Sequence, residues 1–270
     1  MNVRLPVASG RFYPGTLRGL TNQLNELLDL DKAKVNAKGA LMPHAGYVYS
    51  GSTAALTISS INLKSNTDTV IFLGPKHTPY GSDISVSDAD AWRTPLGDLV
   101  VDKDLAKSLL NKTSLESDNA AHEKEHSIEV LLPFFQIFNP DLKIVPIAVN
   151  LRSYDKIKEL AGEMAAVLKD YPNPPLIVVS SDMSHYVSSQ KAMELDGMAI
   201  QNMEELDGEK LFNTVISNKI SMCGVIPAVL ALLILKELGC TKGKLVNYTN
   251  SGEVSNDMSS VVGYTGMIFN

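Results

Sequence analysis

Three of the five histidines in this 270-residue chain follow short apolar runs with the composition of buried β-strands. These are His44 after residues 40–43, His77 after 70–74 and His185 after 176–181. In open α/β sheets the carboxyl ends of the strands border one shared crevice, so side chains that follow different strands can meet there. The positions of these imidazoles relative to the strands therefore predict a common site, although their spacing along the chain has no regularity of its own.

Imidazole and thiolate groups are ligands for iron, copper and zinc rather than for magnesium or calcium. Cys223 lies just before an apolar segment with helical spacing, where a helix dipole would favour a negative thiolate. His44, His77 and Cys223 are thus candidate ligands of a metal site with an open position. The alternatives are that each histidine is only a hydrogen-bonded residue at a strand end and that Cys223 is a small buried hydrophobe.

A second polar group follows the strand-like run that ends near residue 181. If it faces the same crevice, Asp182 could orient a ligand or a water, and His185 could act as an acid or base near neutral pH. The alternative is a strand-to-helix loop whose polar side chains satisfy the backbone. The sequence alone favours neither interpretation.

Residues 122–126 (HEKEH) match the pattern of zinc proteases, in which two histidines lie one helical turn apart with a glutamate between them. The residues before this segment have the composition of a loop, and Pro133 follows soon after it. A row of charged residues in this setting is typical of a solvated helix end. The zinc-protease interpretation is therefore weak.

Composition and charge exclude several classes of partner. The net charge is −6 and the lysines and arginines are scattered, which argues against nucleic-acid binding. The longest apolar stretch, residues 225–235, contains Pro227 and is far shorter than the roughly 20 residues that cross a bilayer. Residues 1–10 do not resemble a secretory signal, so we expect a cytoplasmic protein with no membrane partner, in which both cysteines are free thiols.

Strand-like and helical segments alternate along most of the chain. The strand-like runs are 39–43, 69–74, 83–87, 98–101, 143–149, 175–181, 244–249 and 261–269. The segments with helical spacing are 16–29, 51–61, 102–111, 123–138, 152–169, 188–218 and 226–238. This alternation predicts an α/β fold, a three-layer αβα sandwich around a mostly parallel or mixed sheet, in one domain over residues 1–270. The helix-free block 83–101 is a candidate antiparallel excursion.

Several short motifs, in one order along nearly the whole chain, resemble those of the Memo family, whose bacterial and archaeal members are called AmmeMemoRadiSam system protein B. They are residues 6–14 (PVASGRFYP), 43–47 (PHAGY), 73–77 (LGPKH), 92–97 (WRTPLG), 125–129 (EHSIE), 180–186 (SSDMSHY), 223–224 (CG) and 261–264 (VVGY).

The resemblance implies a fold similar to that of the extradiol catechol dioxygenases, which use non-haem iron. It implies a metal held by two histidines and a third ligand, here His44, His77 and Cys223, with Asp182 and His185 lining the same cavity as catalytic residues. Tyr47 and His126 lie in motifs of the family and are expected substrate contacts. The dioxygenases have a glutamate as third ligand, so Cys223 departs from the usual 2-His-1-carboxylate iron site.

Three functions remain open. The first is a metal-dependent oxidoreductase, with iron or copper (zinc is also possible) acting on an unknown small substrate. The second is a non-catalytic protein that binds a ligand or peptide in the same cleft. The third is a hydrolase that uses zinc, or Cys223 as nucleophile with His185 as base. The resemblance also implies AMMECR-type and radical SAM proteins as partners.

Overall fold

The computed structural model describes residues 1–63 and 68–270. The strands are β1 (Val3–Arg4), β2 (Gly39–Met42), β3 (Thr69–Pro75), β4 (Ile84–Val86), β5 (Ala91–Thr94), β6 (Gly97–Val100), β7 (Glu116–Ser117), β8 (Lys143–Val149), β9 (Leu176–Ser180), β10 (His185–Val187), β11 (Gly243–Asn250) and β12 (Val261–Phe269). The helices are α1 (Leu17–Leu27), α2 (Tyr47–Ser59), α3 (Lys103–Lys112), α4 (Ala120–Glu123), α5 (Leu132–Gln136), α6 (Tyr154–Lys169), α7 (Ser189–Glu204), α8 (Gly208–Ser217), α9 (Val225–Glu237) and α10 (Gly252–Ser255). A 3-10 turn covers Glu129–Leu131.

The main sheet is mixed, with a parallel centre and antiparallel flanks. Its strand order is β10-β12-β2-β9-β3-β8-β4-β7, and β11 also pairs with β12. Strands β2, β9, β3 and β8 run parallel, whereas β12 and β4 pair antiparallel with the two outer members of that group. Because the parallel strands point the same way, the residues that follow β2, β3 and β9 emerge at one edge of the sheet.

Helices cover both faces of this sheet, so the strands are apolar at successive positions rather than at alternate ones. On β3, Ile71 and Leu73 pack into a core with α3, α6, α7, α8 and α9. Val70 and Phe72 point to the opposite face, where α1, α2 and α5 cover the sheet. The predicted three-layer αβα sandwich around a mixed sheet is confirmed.

Each strand-like run predicted from the sequence is a strand, and the block 83–101 does form antiparallel pairs, with β4 on β8 and with the β5–β6 hairpin. Strands β5 and β6 form a smaller sheet together with β1. Among the described residues, every helix is too short or too polar to cross a bilayer.

Two predicted helices are interrupted. The segment 188–218 divides into α7 and α8, because Leu206 adopts a φ of 52° and the Asp207 side chain accepts a hydrogen bond from Lys210 N as the cap of α8. The segment 123–138 divides into the end of α4, a connecting turn, the 3-10 turn and α5. The interruption at residues 124–128 is the one that matters for the site, because it places two polar side chains at the sheet edge.

Candidate metal site

Three imidazoles meet at the carboxyl edge of the parallel strands. Across residues 1–63 and 68–270, His44, His77 and His126 form a group whose potential ligand atoms all lie within 4.8 Å of one another. Their ring centroids are 5.4 Å apart for His44 and His77, 5.6 Å for His44 and His126, and 5.1 Å for His77 and His126. This cluster could hold a metal ion.

The three rings reach the cluster from different kinds of element. His44 lies two residues beyond the end of β2, and His77 lies two residues beyond the end of β3. His126 lies in the connecting turn between α4 and the 3-10 turn, away from any strand end. The strand-end argument therefore brought His44 and His77 together correctly. It also predicted that His185 would join them, but among the described residues this group does not include His185, and the argument carried no information about His126.

The His44 ring is buried, and a hydrogen-bond chain sets its tautomer. Its Nδ1 lies 2.7 Å from Ser180 Oγ, and that hydroxyl donates its only hydrogen to the carbonyl oxygen of Ser127 at 2.5 Å. Ser180 Oγ must then accept from Nδ1–H of His44, which leaves the Nε2 lone pair of His44 free. Burial and the charges of the other two imidazoles lower the pKa of His44, so its ring is neutral, the form that binds metals.

Glu125 orients His77 in a similar way. Its Oε1 accepts from Nδ1 of His77 at 2.9 Å, and its Oε2 accepts from the backbone N–H of His77 at 2.5 Å. Burial opposes the ionisation of Glu125, but hydrogen bonds and charge from His77 and an amide of the turn lower its pKa to about 2. A carboxylate can only accept, so Nδ1 of His77 carries the proton and Nε2 is available as a ligand.

The donor set fits a transition metal. Each ring offers one nitrogen, and in His44 and His77 the other nitrogen is held by a hydrogen bond, as is usual for metal-binding histidines. Imidazole nitrogens suit iron, copper and zinc, whereas magnesium and calcium prefer oxygen ligands. The sequence predicted these metal classes, and the chemistry of the cluster agrees with them without selecting one.

Cys223 lies beside the cluster rather than in it. Its Sγ is 3.5 Å from Nε2 of His44, and it accepts the backbone N–H of Asp182 at 3.2 Å. A tetrahedral metal with bonds of about 2.0 Å to nitrogen and about 2.3 Å to sulfur would place these two atoms about 3.5 Å apart. Among the described residues, however, the group of mutually close ligand atoms does not include this sulfur. The assignment of Cys223 as a ligand stays a prediction.

The expected stabilisation of a Cys223 thiolate by the helix dipole was wrong for the metal-free protein. Burial, and then the charge of Asp182, raise the pKa of the Cys223 thiol. The N–H of Gly224, the residue that precedes α9, donates to Ser181 Oγ at 2.9 Å. Both cysteines are free thiols, as predicted.

Asp182 contacts His44 of the cluster directly, whereas His185 is hydrogen-bonded to the loop before α9. Asp182 is buried, its Oδ1 accepts the backbone N–H of His44 at 2.8 Å, and burial raises its pKa to about 6. Nδ1 of His185 lies 2.8 Å from the carbonyl oxygen of Ser221. Because that oxygen can only accept, Nδ1 of His185 carries a proton and its Nε2 is free to take up another. The catalytic roles predicted for Asp182 and His185 stay predictions.

The two expected substrate contacts have different surroundings. His126 belongs to the imidazole cluster, and the ring of Phe12 packs against it with the centroids 4.7 Å apart. Tyr47 is buried, packs on Phe134 at 4.5 Å and donates its hydroxyl hydrogen to the carbonyl oxygen of Val130 at 2.9 Å. The role predicted for Tyr47 stays a prediction.

The zinc-protease pattern is not a structural unit. Helix α4 ends at Glu123, so His122 and His126 do not lie on one helix face. His122 is buried against Trp92, its Nε2 lies 3.1 Å from the carbonyl oxygen of Ser85, and burial lowers its pKa to about 4. His122 is therefore a neutral core residue, which agrees with the weak support for the zinc-protease interpretation in the sequence.

The profile of the Memo-like protein family matches residues 4–268 of the chain. The chain belongs to the Memo family. Its similarity to the MEMO1 family protein of Aquifex aeolicus is 42% identity over 275 residues, covering 100% of both chains. The MEMO1 family protein of Methanosarcina mazei is 36% identical over 270 residues, covering 99% of each chain. The family inferred from the short motifs is thus confirmed.

The Memo chain also resembles a solved structure of distant sequence. The crystal structure of an uncharacterized protein from Escherichia coli K12 superposes with a TM-score of 0.50 at 12% identity, covering 85% of this chain and 98% of that one. At this identity the likeness supports the α/β fold alone.

Proposed function

We propose that this protein is a metal-dependent redox enzyme that binds a transition metal at His44, His77 and His126 and acts on a small substrate. The observation that carries the proposal is the convergence of three imidazoles whose ligand atoms all lie within 4.8 Å of one another. Two of these rings are held in the tautomer that presents Nε2 to the cluster.

Iron and copper are the proposed metals, since zinc has no redox chemistry. When bound, such an ion supplies one-electron chemistry and an open position for a small ligand. Cys223 is proposed as a further ligand because its sulfur lies 3.5 Å from Nε2 of His44. Its thiol would lose its proton on binding the metal, so metal uptake through Cys223 should release one proton more than uptake without it.

The polar residues around the cluster would handle protons. His185 can accept a proton at Nε2 while the Ser221 carbonyl holds its Nδ1–H in place. Asp182, with a pKa of about 6, can hold a proton at mildly acidic pH and give it up near neutrality. The buried carboxylate of Glu125 keeps the His77 ring in one tautomer throughout.

Elemental analysis of the protein purified without an affinity tag, with absorption spectra in air and in reductant, tests the proposal. We expect iron or copper in the wild type and loss of metal from the His44→Ala and His77→Ala variants with the fold intact. Retention of the metal by the double variant His44→Ala/His77→Ala would refute the site. A metal-free wild type that still binds a peptide or small ligand would support the non-catalytic alternative instead.

Two further variants, Cys223→Ser and His126→Ala, identify the third ligand. With Co²⁺ as probe, a sulfur ligand gives an intense near-ultraviolet charge-transfer band that a nitrogen ligand does not. If Cys223 binds the metal, this band is lost in Cys223→Ser and kept in His126→Ala.

The AMMECR-type and radical SAM partners implied by the resemblance are proposed as well, and co-purification from cell extract tests them.

A further inference from the structure

We propose that Arg4 and Glu129 are positioning residues of the metal site, and that the N-terminal segment 2–14 is part of its framework. The inference rests on the proposed function, because it concerns how the ligands are held. The N-terminal segment fixes the connecting turn 124–128, which carries His126 and also the Glu125 carboxylate that orients His77.

The Arg4 guanidinium is buried, with 7% of the residue exposed, and is anchored to this turn. Its Nε and Nη2 both lie 3.2 Å from the carbonyl oxygen of His122, and its Nη2 also donates to the carbonyl oxygen of Glu125 at 2.5 Å. Nη1 pairs with the carboxylate of Glu129. The face of the guanidinium lies 4.5 Å from the centroid of the Trp92 ring. Arg4 therefore contacts the end of α4, the connecting turn and the first residue of the 3-10 turn.

Glu129 connects the start of the 3-10 turn to the N-terminal segment. It is completely buried, and each of its carboxylate oxygens accepts two hydrogen bonds. One oxygen accepts from Arg4 and from the backbone N–H of Val7 at 2.9 Å. The other accepts from the backbone N–H of Ala8 at 2.9 Å and from the Tyr13 hydroxyl at 2.6 Å. The buried charge is thus fully paired.

The held turn supports two of the three rings. While its carbonyl oxygen is bound by Arg4, Glu125 uses its carboxylate to orient His77 and to accept the backbone N–H of His126 at 2.9 Å. The N-terminal segment also contacts His126 directly through Phe12. Phe12 is itself fixed, because its carbonyl oxygen accepts the backbone N–H of Tyr47 at 2.8 Å.

The chemistry of the Arg4 guanidinium suits a residue that positions the turn and does more than stabilise the fold. Residues 124–128 lie outside a helix or strand. The carbonyl oxygens of His126 and Ile128 accept backbone N–H groups of the following 3-10 turn, whereas the carbonyl oxygen of Glu125 is held by the Arg4 side chain. The planar guanidinium supplies several donors in one rigid fork, which sets the direction of each carbonyl, and lysine cannot reproduce this geometry. Replacing a buried ion pair by apolar residues often leaves stability unchanged, so its presence calls for another explanation.

The test compares two tyrosines in full-length protein. Tyr13→Phe removes a hydroxyl that donates to buried Glu129 at 2.6 Å, and the control Tyr248→Phe removes one that donates to buried Asp196 at 2.7 Å, away from the turn. Arg4→Lys keeps the charge and removes the fork. Zn²⁺ affinity is measured by competition with a chelator, the Co²⁺ visible spectrum reports ligand geometry, and thermal unfolding reports stability.

We expect Arg4→Lys to weaken Zn²⁺ binding about 10- to 100-fold, as for other residues that orient metal ligands, and Tyr13→Phe to weaken it by a smaller factor. Arg4→Lys and Tyr13→Phe should both change the Co²⁺ spectrum. Tyr248→Phe should change neither the Zn²⁺ affinity nor the Co²⁺ spectrum, even if it lowers the stability as much as Tyr13→Phe does. If the Arg4→Lys variant does not fold, the result for Tyr13→Phe alone tests the inference. Wild-type affinity and spectrum in these variants, while His77→Ala loses the metal, would overturn the inference and leave the metal site intact. Failure of the wild type to bind either ion would overturn both.

Discussion

The tautomer of two of the three rings in the cluster depends on one neighbouring oxygen each. Ser180 Oγ fixes His44 and the Glu125 carboxylate fixes His77, in each case by holding Nδ1 and leaving Nε2 free. Neither oxygen belongs to a recognisable ligand pattern, because a serine or glutamate next to a histidine in space is distant from it in sequence. At the scale of single residues, the partners of the ligands decide whether the site can work.

Glu125→Gln should therefore damage the site although it conserves shape. The carboxylate receives hydrogen bonds from Nδ1 of His77 and from three backbone N–H groups, and an amide would present two hydrogens of its own to these donors. We expect Zn²⁺ affinity to fall about 10- to 100-fold by chelator competition. The half-buried carboxylate of Asp98 offers a control, since Asp98→Asn loses an ion pair with Arg93 within the β5–β6 hairpin. Equal affinity in the two variants would contradict the role of Glu125.

The raised pKa of Cys223 separates the redox proposal from a cysteine hydrolase. Burial and the charge of Asp182 disfavour the thiolate, which is the nucleophilic form. We expect iodoacetamide to alkylate Cys223 in the native metal-free protein at pH 7.5 at least about tenfold more slowly than in the urea-unfolded chain, because each unit of pKa changes the thiolate fraction tenfold. Mass spectrometry of the labelled peptide measures both rates. Rapid native alkylation that substrate-like ligands suppress would instead favour a nucleophilic cysteine.

At the scale of elements, the site depends on close approach between β9 and α9. A Cβ on Gly224 would lie 2.4 Å from Ser181 Cβ and 2.5 Å from the carbonyl oxygen of Ser180. Only glycine allows the helix start to lie this close to the strand end. That approach keeps Cys223 beside His44, so packing and site geometry are linked at this position.

Gly224→Ala should therefore both destabilise the protein and disturb metal binding. The clash involves backbone, so we expect a loss of about 1–3 kcal/mol in the free energy of unfolding, measured with urea, as for other overpacked positions. The control is Gly162→Ala in α6, where a Cβ would meet nothing within 4 Å. That variant should gain up to about 1 kcal/mol, since alanine is the better helix former. A Gly224→Ala protein as stable as the wild type would mean that the helix start can shift freely.

At the scale of the whole molecule, we expect the free energy of unfolding to depend on pH through a buried aspartate that packs against β12. Asp196 is completely buried, and burial raises its pKa although hydrogen bonds from Ser184 and Tyr248 act in the opposite direction. The folded state therefore binds a proton at pH values where the unfolded chain, with an aspartate pKa of about 3.9, has already released it. The contribution of this group to stability is greatest at acidic pH and falls as the pH rises through the folded pKa.

Asp196→Asn should remove this part of the pH dependence. The amide oxygen can still accept from Ser184, and the amide hydrogens can be donated to the Tyr248 hydroxyl, so the variant should fold. We expect the wild type to lose stability relative to the variant as the pH rises above about 4, from urea unfolding at a series of pH values. A constant difference across that range would show that Asp196 does not titrate abnormally.

Features of the fold that depend on local sequence were predictable, whereas those that depend on contacts between distant residues were not. Apolar periodicity located the strand-like runs and the three-layer fold, because that pattern reflects burial on both faces of each strand. Position at strand ends brought His44 and His77 together for the same reason. The break of the predicted helix 123–138 was missed, and the turn that replaces it contacts Arg4, which lies more than a hundred residues earlier in the chain.

By itself the sequence determined the family, the αβα architecture and the edge of the sheet at which a site could form, since these follow from local composition and ordered motifs. Only the tertiary structure decided that His126 completes the cluster, that Glu125 and Ser180 set the tautomers, and that the Cys223 thiol is disfavoured as an anion. Burial, hydrogen-bond partners and pKa values depend on which distant residues come into contact. That information exists only once the chain has folded.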